Sequence, residues 1–356
     1  MGDQVRVEPH DMISFSTAAL EHYGVPRPDA ELVARSLVQA DLWGHQSHGL
    51  LRLPWYAARL ASGVMSPATE PVMLVDAGSV AVIDGCQGVG QVLALRAAQE
   101  AIDRAQRFGV GVVGVRNSNH FGMARYFTQL GPRAGCVSFL STNASPAIAP
   151  WGGRHKALGN NPWSIAAPAG RYGIAVMDLA NTVVARGKIY LAHQNGLPLP
   201  EGWAITADGH PTTDPLEAIA GTILPMGGPK GYVISFMMDV LSGVLTGSGF
   251  AGGVSGPYQP ELKGCAGHLY LALNVTTFML LQEFDRRMEQ LIEQIKSAPL
   301  AAGFDEIYFP GELEDRNAAR AERDGLFLPQ KTMDDLMGLA TLVGIPIAAA
   351  RDLPGR

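Results

Sequence analysis

The chain alternates between helix-like and strand-like patterns of apolar positions, and the two are unevenly distributed. Residues 9–23 and 29–43 read as two helices, broken apart by Gly24 and Pro26, with Pro28 and Asp29 suited to a helix start. The second helix gathers Leu32, Leu37, Ala40 and Leu42 on an apolar side, and a third helical stretch is predicted over Leu50 to Leu60. From Val75 the pattern changes. Val80 to Ile83 is β-branched and strand-like, and Val92 to Phe108 predicts a strong helix stopped by Gly109. Val110 to Val115 is a continuous apolar run, as expected of a strand buried on both faces; Cys136 to Leu140 and Ile174 to Met177 are further strands. Helices return at Lys230 to Leu245, Thr277 to Ser297 and Met333 to Val343. This order predicts an α/β core with a helical unit built from the two termini. The expected division is 1–74 as an N-terminal helical segment, 75–298 as the α/β core, and 299–356 as a C-terminal segment packing on the first. The Gly- and Pro-rich stretch 249–264 reads as a long surface loop.

Composition narrows the class. Of 356 residues 47% are hydrophobic and 17% charged, which is core-rich and globular. A net charge of −6 without basic clusters argues against nucleic acid as a partner. The cysteines Cys86, Cys136 and Cys265 are odd in number and widely spaced, which suits a reducing compartment. Met1 to His10 lacks the apolar stretch of a signal peptide. The longest apolar region, Val233 to Leu245, is interrupted by Asp239 and Gly243 and is too short for a bilayer span. A soluble, cytoplasmic protein is the expectation. The histidines lack metal-ligand spacing, so no metal is expected.

One familiar motif is present in the wrong context. Gly109, Gly111 and Gly114 match GxGxxG, but a dinucleotide turn leaves a strand and opens a helix. Here a helix comes first and the glycines lie inside the predicted strand, so the match is refused as a phosphate loop.

Four segments carry candidate chemistry. The first is Gly44 to Gly49, followed by Arg52 and Tyr56. If 48–56 is helical, His48, Arg52 and Tyr56 share a face. A histidine there exchanges a proton, an arginine one turn away grips a carboxylate, and Ser47 orients the imidazole. The second is Asn117 to Gly122 at the end of a buried strand, where α/β proteins keep ligand contacts. Its plainer reading is a turn in which Ser118 or Asn119 caps a helix near Ala124 to Leu130. The third is Ser141, Thr142 and Asn143 with the loop running to Asn160, Asn161 and Pro162; so long a loop is unusual unless functional. The fourth is Pro225 to Tyr232, where helix amides and Lys230 suit an anion.

In this order and spacing, the four segments resemble the malate/L-lactate dehydrogenase family that is unrelated to the ordinary Rossmann lactate dehydrogenases. The resemblance runs from Ala40 to Val343, with further matching stretches at Asp178 to Thr182, Ala185 to Ile189 and Phe309 to Glu312. It implies a non-Rossmann fold and a homodimer whose active site lies at the subunit interface. It implies NAD(H) or NADP(H) as cofactor and hydride transfer at C2 of a small 2-oxo or 2-hydroxy carboxylic acid. By resemblance, His48 is the proton donor with Ser47 beside it, Arg52 is the carboxylate clamp, and His120 stands at the nicotinamide or acts as acid/base. Tyr56 and Asn160 belong with the substrate. His120, Phe121, Gly122, Ala124, Ser141, Thr142, Asn143, Asp178, Leu179, Ala180, Lys230, Gly231, Pro310, Gly311 and Glu312 match cofactor contacts. Two departures are visible. Asn160 stands where the family often has threonine, and Lys188 stands where the piperideine-carboxylate reductases have an aspartate. The second bears on the alternative activity, reduction of cyclic or N-methyl 2-imino acids.

Overall fold

A computed structural model of the chain describes residues 4–194 and 196–347. Strand β1 (Gln4–Val7) and helices α1 (Pro9–His22) and α2 (Arg27–Leu42) come first, then two 3-10 turns (Gln46–His48, Leu50–Arg52) and α3 (Leu53–Ala61). The hairpin β2 (Val72–Ala77) and β3 (Val80–Asp84) precedes α4 (Gly90–Phe108) and β4 (Val110–Ser118). Two short helices, α5 (Arg125–Thr128) and α6 (Leu130–Arg133), lead into β5 (Cys136–Thr142), β6 (Trp163–Pro168) and β7 (Ile174–Leu179). A small unit follows: α7 (Arg186–Gln194), β8 (Ala204–Ile205), β9 (Pro211–Thr212), α8 (Pro215–Ala220) and β10 (Thr222–Ile223). The rest is α9 (Pro229–Asp239) with a π-helical continuation (Val240–Val244), β11 (Ala266–Asn274), α10 (Leu281–Lys296), α11 (Glu312–Asp324), β12 (Leu326–Pro329) and α12 (Gln330–Val343).

Seven strands make one mixed sheet in the order β2-β3-β4-β11-β5-β6-β7, and β8 to β10 form a small second sheet. Only β3 and β4 run parallel; the other neighbours in the large sheet are antiparallel. The α/β expectation is met, with several elements unread in the sequence: β2, β6, β11, α11 and the small sheet. β11 enters late in the chain and splits β4 from β5, with Leu269 opposite both Gly114 and Ser141.

Close contact between α4 and the sheet explains the refused glycine motif. The buried face of α4 is small-residue: Ala94, Ala97, Ala98, Ala101 and Ala105. A Cβ on Gly111 would lie 1.9 Å from the Ala101 carbonyl oxygen, so the helix backbone rests directly on β4. Gly109, at φ 85°, is the left-handed cap that ends α4. Both glycines serve packing, inside or beside a strand.

A second core joins the termini. Met12, Phe15, Leu37, Leu50 and Leu53 pack with Leu328, Met333, Leu336 and Leu339 in one apolar cluster, and β1 pairs with β12 antiparallel. Several predicted helices are altered at their ends. The stretch from Leu50 begins as a 3-10 turn, and Gly49 separates it from the turn Gln46–His48, so 48–56 is not one helix. α10 starts at Leu281 rather than Thr277, after the 3-10 turn Val275–Thr277. The helix near Ala124 to Leu130 is two short pieces, and its first free amide, Arg125 N–H, is answered by Asp178 at 2.7 Å rather than by Ser118 or Asn119.

Gly111→Ala should therefore lower stability by about 2–4 kcal/mol, because neither the Ala101 carbonyl nor the strand can yield. Thermal or urea denaturation checks this; an unchanged midpoint contradicts the packing role.

Candidate active site

The site begins at the end of α2. Asp41 is buried there, and its carboxyl accepts the Leu50 N–H at 2.8 Å. A Cβ on Gly49 would lie 2.0 Å from Asp41 Oδ1, so only glycine lets the turn close over this carboxyl. Burial pushes Asp41 up to about 8, the Leu50 amide opposing it. The two turns locked by this contact carry His48 and Arg52. Arg52 Nε donates to the Ser47 carbonyl at 2.7 Å, and the guanidinium lies 4.5 Å over the Trp55 ring. Among the described residues no acid pairs with it. Burial pulls Arg52 below its ordinary value.

His120 arrives from the loop after β4. Its Nδ1 lies 2.7 Å from the Tyr56 hydroxyl and 3.2 Å from the Gly122 amide. An amide can only donate, so Nδ1 is an acceptor and the proton of neutral His120 sits on Nε2. Gly122 itself sits at φ 83°, in the left-handed region open to glycine. His48 Nδ1 faces the Ser47 hydroxyl at 2.9 Å. The two imidazoles are stacked, with centroids 5.9 Å apart and planes 18° from parallel. Burial, then the charge of Arg52, pulls His48 down to about 3. The same causes, with His48 added, hold His120 well below its ordinary value. At neutral pH a half-buried guanidinium without a counter-ion faces two uncharged rings. Chemically this is a receptor for an anion beside groups able to exchange a proton.

The outer wall is the loop before β11. Buried Arg59 on α3 donates to the Gln259 carbonyl at 2.6 Å and to Asn119 Oδ1 at 3.0 Å. That brings Tyr258 edge-on to Trp55, their centroids 6.0 Å apart.

Comparison with known proteins identifies the family. Residues 7–337 match the sequence model described as malate/L-lactate dehydrogenase. The chain belongs to the malate/L-lactate dehydrogenase family. It is 39% identical over 341 residues to an L-sulfolactate dehydrogenase of Methanocaldococcus jannaschii, covering 96% of this chain and 98% of that one. The solved sulfolactate dehydrogenase structure from that organism superposes with a TM-score of 0.91 at 38% identity, over 97% of this chain and 98% of the other. A (2R)-3-sulfolactate dehydrogenase (NADP(+)) of Chromohalobacter salexigens is 38% identical over 332 residues, 92% of this chain and 96% of the relative. A ureidoglycolate dehydrogenase (NAD(+)) of Escherichia coli K12 is 35% identical over 304 residues, 85% and 86% of the two chains.

In this family member the remaining candidates fall into separate groups. Phe121 is buried edge-on against His268, centroids 4.8 Å apart. Ser141, Thr142 and Asn143 turn their side chains inward. Ser141 bonds Ser242 at 2.8 Å, Thr142 bonds His268 at 2.8 Å, and Asn143 bonds Asp239 at 2.8 Å. Their side chains are committed to holding β5, β11 and α9 together. Asp178, pushed up to about 6 by burial, joins buried Ala124 through the Arg125 amide. Arg125 also donates to the Gly311 carbonyl at 3.1 Å, so the segments around Ala124, Asp178 and Gly311 meet at one arginine. Leu179 is exposed and Ala180 half-buried. The Pro310 carbonyl accepts Val176 N–H at 2.9 Å, while Glu312 pairs with Lys296 at 2.7 Å and Arg316 at 2.6 Å. Lys230 is exposed on the first turn of α9, and Gly231 is pressed against Met226, where a Cβ would lie 2.6 Å from backbone. The Asn160 carbonyl accepts Asn181 N–H at 3.1 Å, and its side chain makes no hydrogen bond among the described residues.

Asp41, Arg59, Gln91 and Arg125 were missed by sequence reasoning. The available signal was a charged or amide group inside an otherwise apolar helical run, as in Ala40-Asp41-Leu42. Asp41→Ala should cost about 1–3 kcal/mol by orphaning the Leu50 amide, and should cut activity more than Asp41→Asn, which keeps an acceptor. Equal activity of the two variants contradicts the clamp.

Proposed function

We propose that this chain is an NAD(P)-dependent oxidoreductase that exchanges a hydride between nicotinamide and C2 of a small 2-oxo or 2-hydroxy carboxylic acid. The observation that carries the reading is the Arg52 guanidinium, half-buried with no acid partner among the described residues, beside the stacked His48 and His120. A guanidinium largely withdrawn from water costs several kcal/mol unless an anion answers it. A carboxylate in its fork supplies that answer bidentately.

The residues present suit a nicotinamide cofactor. Among the described residues the buried Gln91 side-chain nitrogen has no hydrogen-bond partner, and a Cβ on Gly122 would enter the space 3.8 Å from it. A carboxamide is a fitting acceptor for such a donor. His120, Phe121, Gly122 and Ala124, the backbone of Ser141 to Asn143, Asp178 to Ala180, Lys230, Gly231, and Pro310 to Glu312 are the proposed holding residues. When bound, reduced nicotinamide supplies the hydride for C2. The protein's own part is to seat the carboxylate on Arg52 and give a proton from His48 to the oxygen on C2. Ser47 orients that ring, Tyr56 fixes His120, and His120 positions the reacting carbon. Asn160 lines the substrate's far end.

A homodimer is part of the proposal. Val233, Phe236 and Met237 on α9, then Val244, Leu245 and Phe250, are apolar and exposed on one continuous stretch. So much apolar surface on one element is the mark of a protein contact. Among the described residues no helix is long and apolar enough to cross a membrane.

The test is consumption of NADH and of NADPH against pyruvate, oxaloacetate, sulfopyruvate and a glyoxylate-type acid, with Δ1-piperideine-2-carboxylate as the imine counterpart. Turnover of a 2-oxo acid is expected; cofactor binding with no turnover of any of these overturns the reading. His48→Ala should lose about 10²-fold or more in kcat while still binding cofactor. Arg52→Ala should raise KM about 10²-fold; a near-normal KM removes the clamp. Sedimentation should give twice the monomer mass, and Phe236→Glu should shift it toward monomer. A wild-type monomer at micromolar concentration contradicts the dimer.

A further inference from the structure

The proposed reaction consumes a proton in the reduction direction, yet both imidazoles of the free site are neutral at pH 7. The hydrogen bonds decide which ring can be loaded. His120 Nδ1 accepts from the Gly122 amide at 3.2 Å, with the Tyr56 hydroxyl at 2.7 Å. A second proton on His120 would have to occupy Nδ1; the Tyr56 hydroxyl could turn to accept it, but the Gly122 N–H is fixed, so its hydrogen bond would be lost and two N–H groups set against each other. His48 Nδ1 instead faces the Ser47 hydroxyl at 2.9 Å, which can rotate from donor to acceptor. His48 therefore gains a proton without losing a hydrogen bond; His120 does not.

We propose that seating an anion on Arg52 draws one proton from solvent onto His48, while His120 stays neutral throughout. This rests on the function proposed above and adds the coupling between substrate binding and proton loading.

The surrounding charges leave that task to the ligand. Arg52 on the same segment opposes an imidazolium at His48, and so does His45. On α3, Tyr56 is held in its neutral form by burial, and Arg59 adds positive charge near His120. His268 on β11 is pulled down to about 3 by burial and is neutral. Tyr258, from the loop before β11, faces Arg52. Of the acids, Asp41 on α2 is pushed up to about 8, and Glu314 on α11 is engaged by His45 at 3.3 Å. Near neutral pH none of these puts an unanswered negative charge beside His48. A carboxylate on Arg52 cancels the nearest positive charge and adds a negative one, and both effects raise the affinity of His48 for a proton.

The balance closes. Binding adds H⁺ from solvent to His48. In the reduction, the hydride pair forms the new C–H bond at C2 as the carbonyl π bond breaks. The oxygen takes the proton from His48, which returns to neutral. The sum is 2-oxo acid, reduced nicotinamide and one solvent proton giving 2-hydroxy acid and oxidised nicotinamide.

The experiment is calorimetric titration of oxamate into the full-length protein saturated with NADH, with NADPH in a second series, at pH 7 in buffers of different ionisation enthalpy. The slope of apparent enthalpy against ionisation enthalpy counts protons. About 0.5–1 proton should be taken up per site. His48→Gln should still bind oxamate with a slope near zero, and His120→Gln should keep the wild-type slope. Nitrogen-15 imidazole spectra of the wild type read the same assignment without mutation: both His48 nitrogens protonated with oxamate, and His120 protonated on Nε2 alone. A zero slope in the wild type overturns the proposal. So does loss of uptake in His120→Gln alone, or failure of oxamate to bind with either cofactor. Turnover without uptake leaves the proposed function standing and removes this coupling; uptake without turnover of any 2-oxo acid does the reverse.

Discussion

A positive charge partly withdrawn from water, with no acid beside it among the described residues, is an expensive thing to build, and much of this fold's local detail is arranged around one. The Arg52 guanidinium lies on the Trp55 ring and donates through Nε to a backbone carbonyl, which leaves the outer fork free. Neither bond supplies negative charge. Burial, and after it this uncompensated field, lowers the proton affinity of both neighbouring histidines, so free site and liganded site differ in electrostatics. Binding and proton chemistry are thereby linked through one side chain. That linkage is the physical content of the proposed activity.

Several distant elements hold Arg52 there. Asp41 at the end of α2 fixes the turn through the Leu50 amide, and the missing side chain at Gly49 lets the carboxyl approach. Arg59, one helical turn beyond Tyr56, ties the loop before β11 to the Asn119 side chain, next to His120. β11 stands between β4 and β5, and His268 bonds Ser118 at 2.6 Å and Thr142 at 2.8 Å, locking the strand ends on either side. The polar residues beside the site thus spend many of their hydrogen bonds on rigidity, while among the described residues the Arg52 guanidinium has no acid partner and the Gln91 side-chain nitrogen no hydrogen bond.

What could be read from the chain alone follows from range. Ser47, His48 and Arg52 were legible because they form one short polar stretch among helical apolar patterns. Their common face was expected from a helix over 48–56; the structure reaches it through two 3-10 turns clamped from nine residues away. The Tyr56–His120 bond spans 64 residues, and no local periodicity encodes it. β11 was unread because its pairing with β4 and β5 joins residues more than a hundred positions apart, and a strand assembled from such contacts needs little local signature. β2 failed for another reason. Its Val72, Met73, Leu74 and Val75 are all exposed at a sheet edge, so apolar alternation had no buried face to mark. The motif Ser141-Thr142-Asn143 reads as ligand-binding; its side chains bond the protein itself, which leaves its backbone for the proposed cofactor contact. A sequence shows that polar groups need partners; it does not show whether those partners are internal.

The most direct measurement is a crystal structure of the protein with oxamate and reduced cofactor bound. The oxamate carboxylate is expected in the fork of Arg52, with the adjacent oxygen in hydrogen-bond reach of His48. An oxamate bound away from Arg52, or an Arg52 that turns to an acidic side chain in the assembled protein, would contradict it.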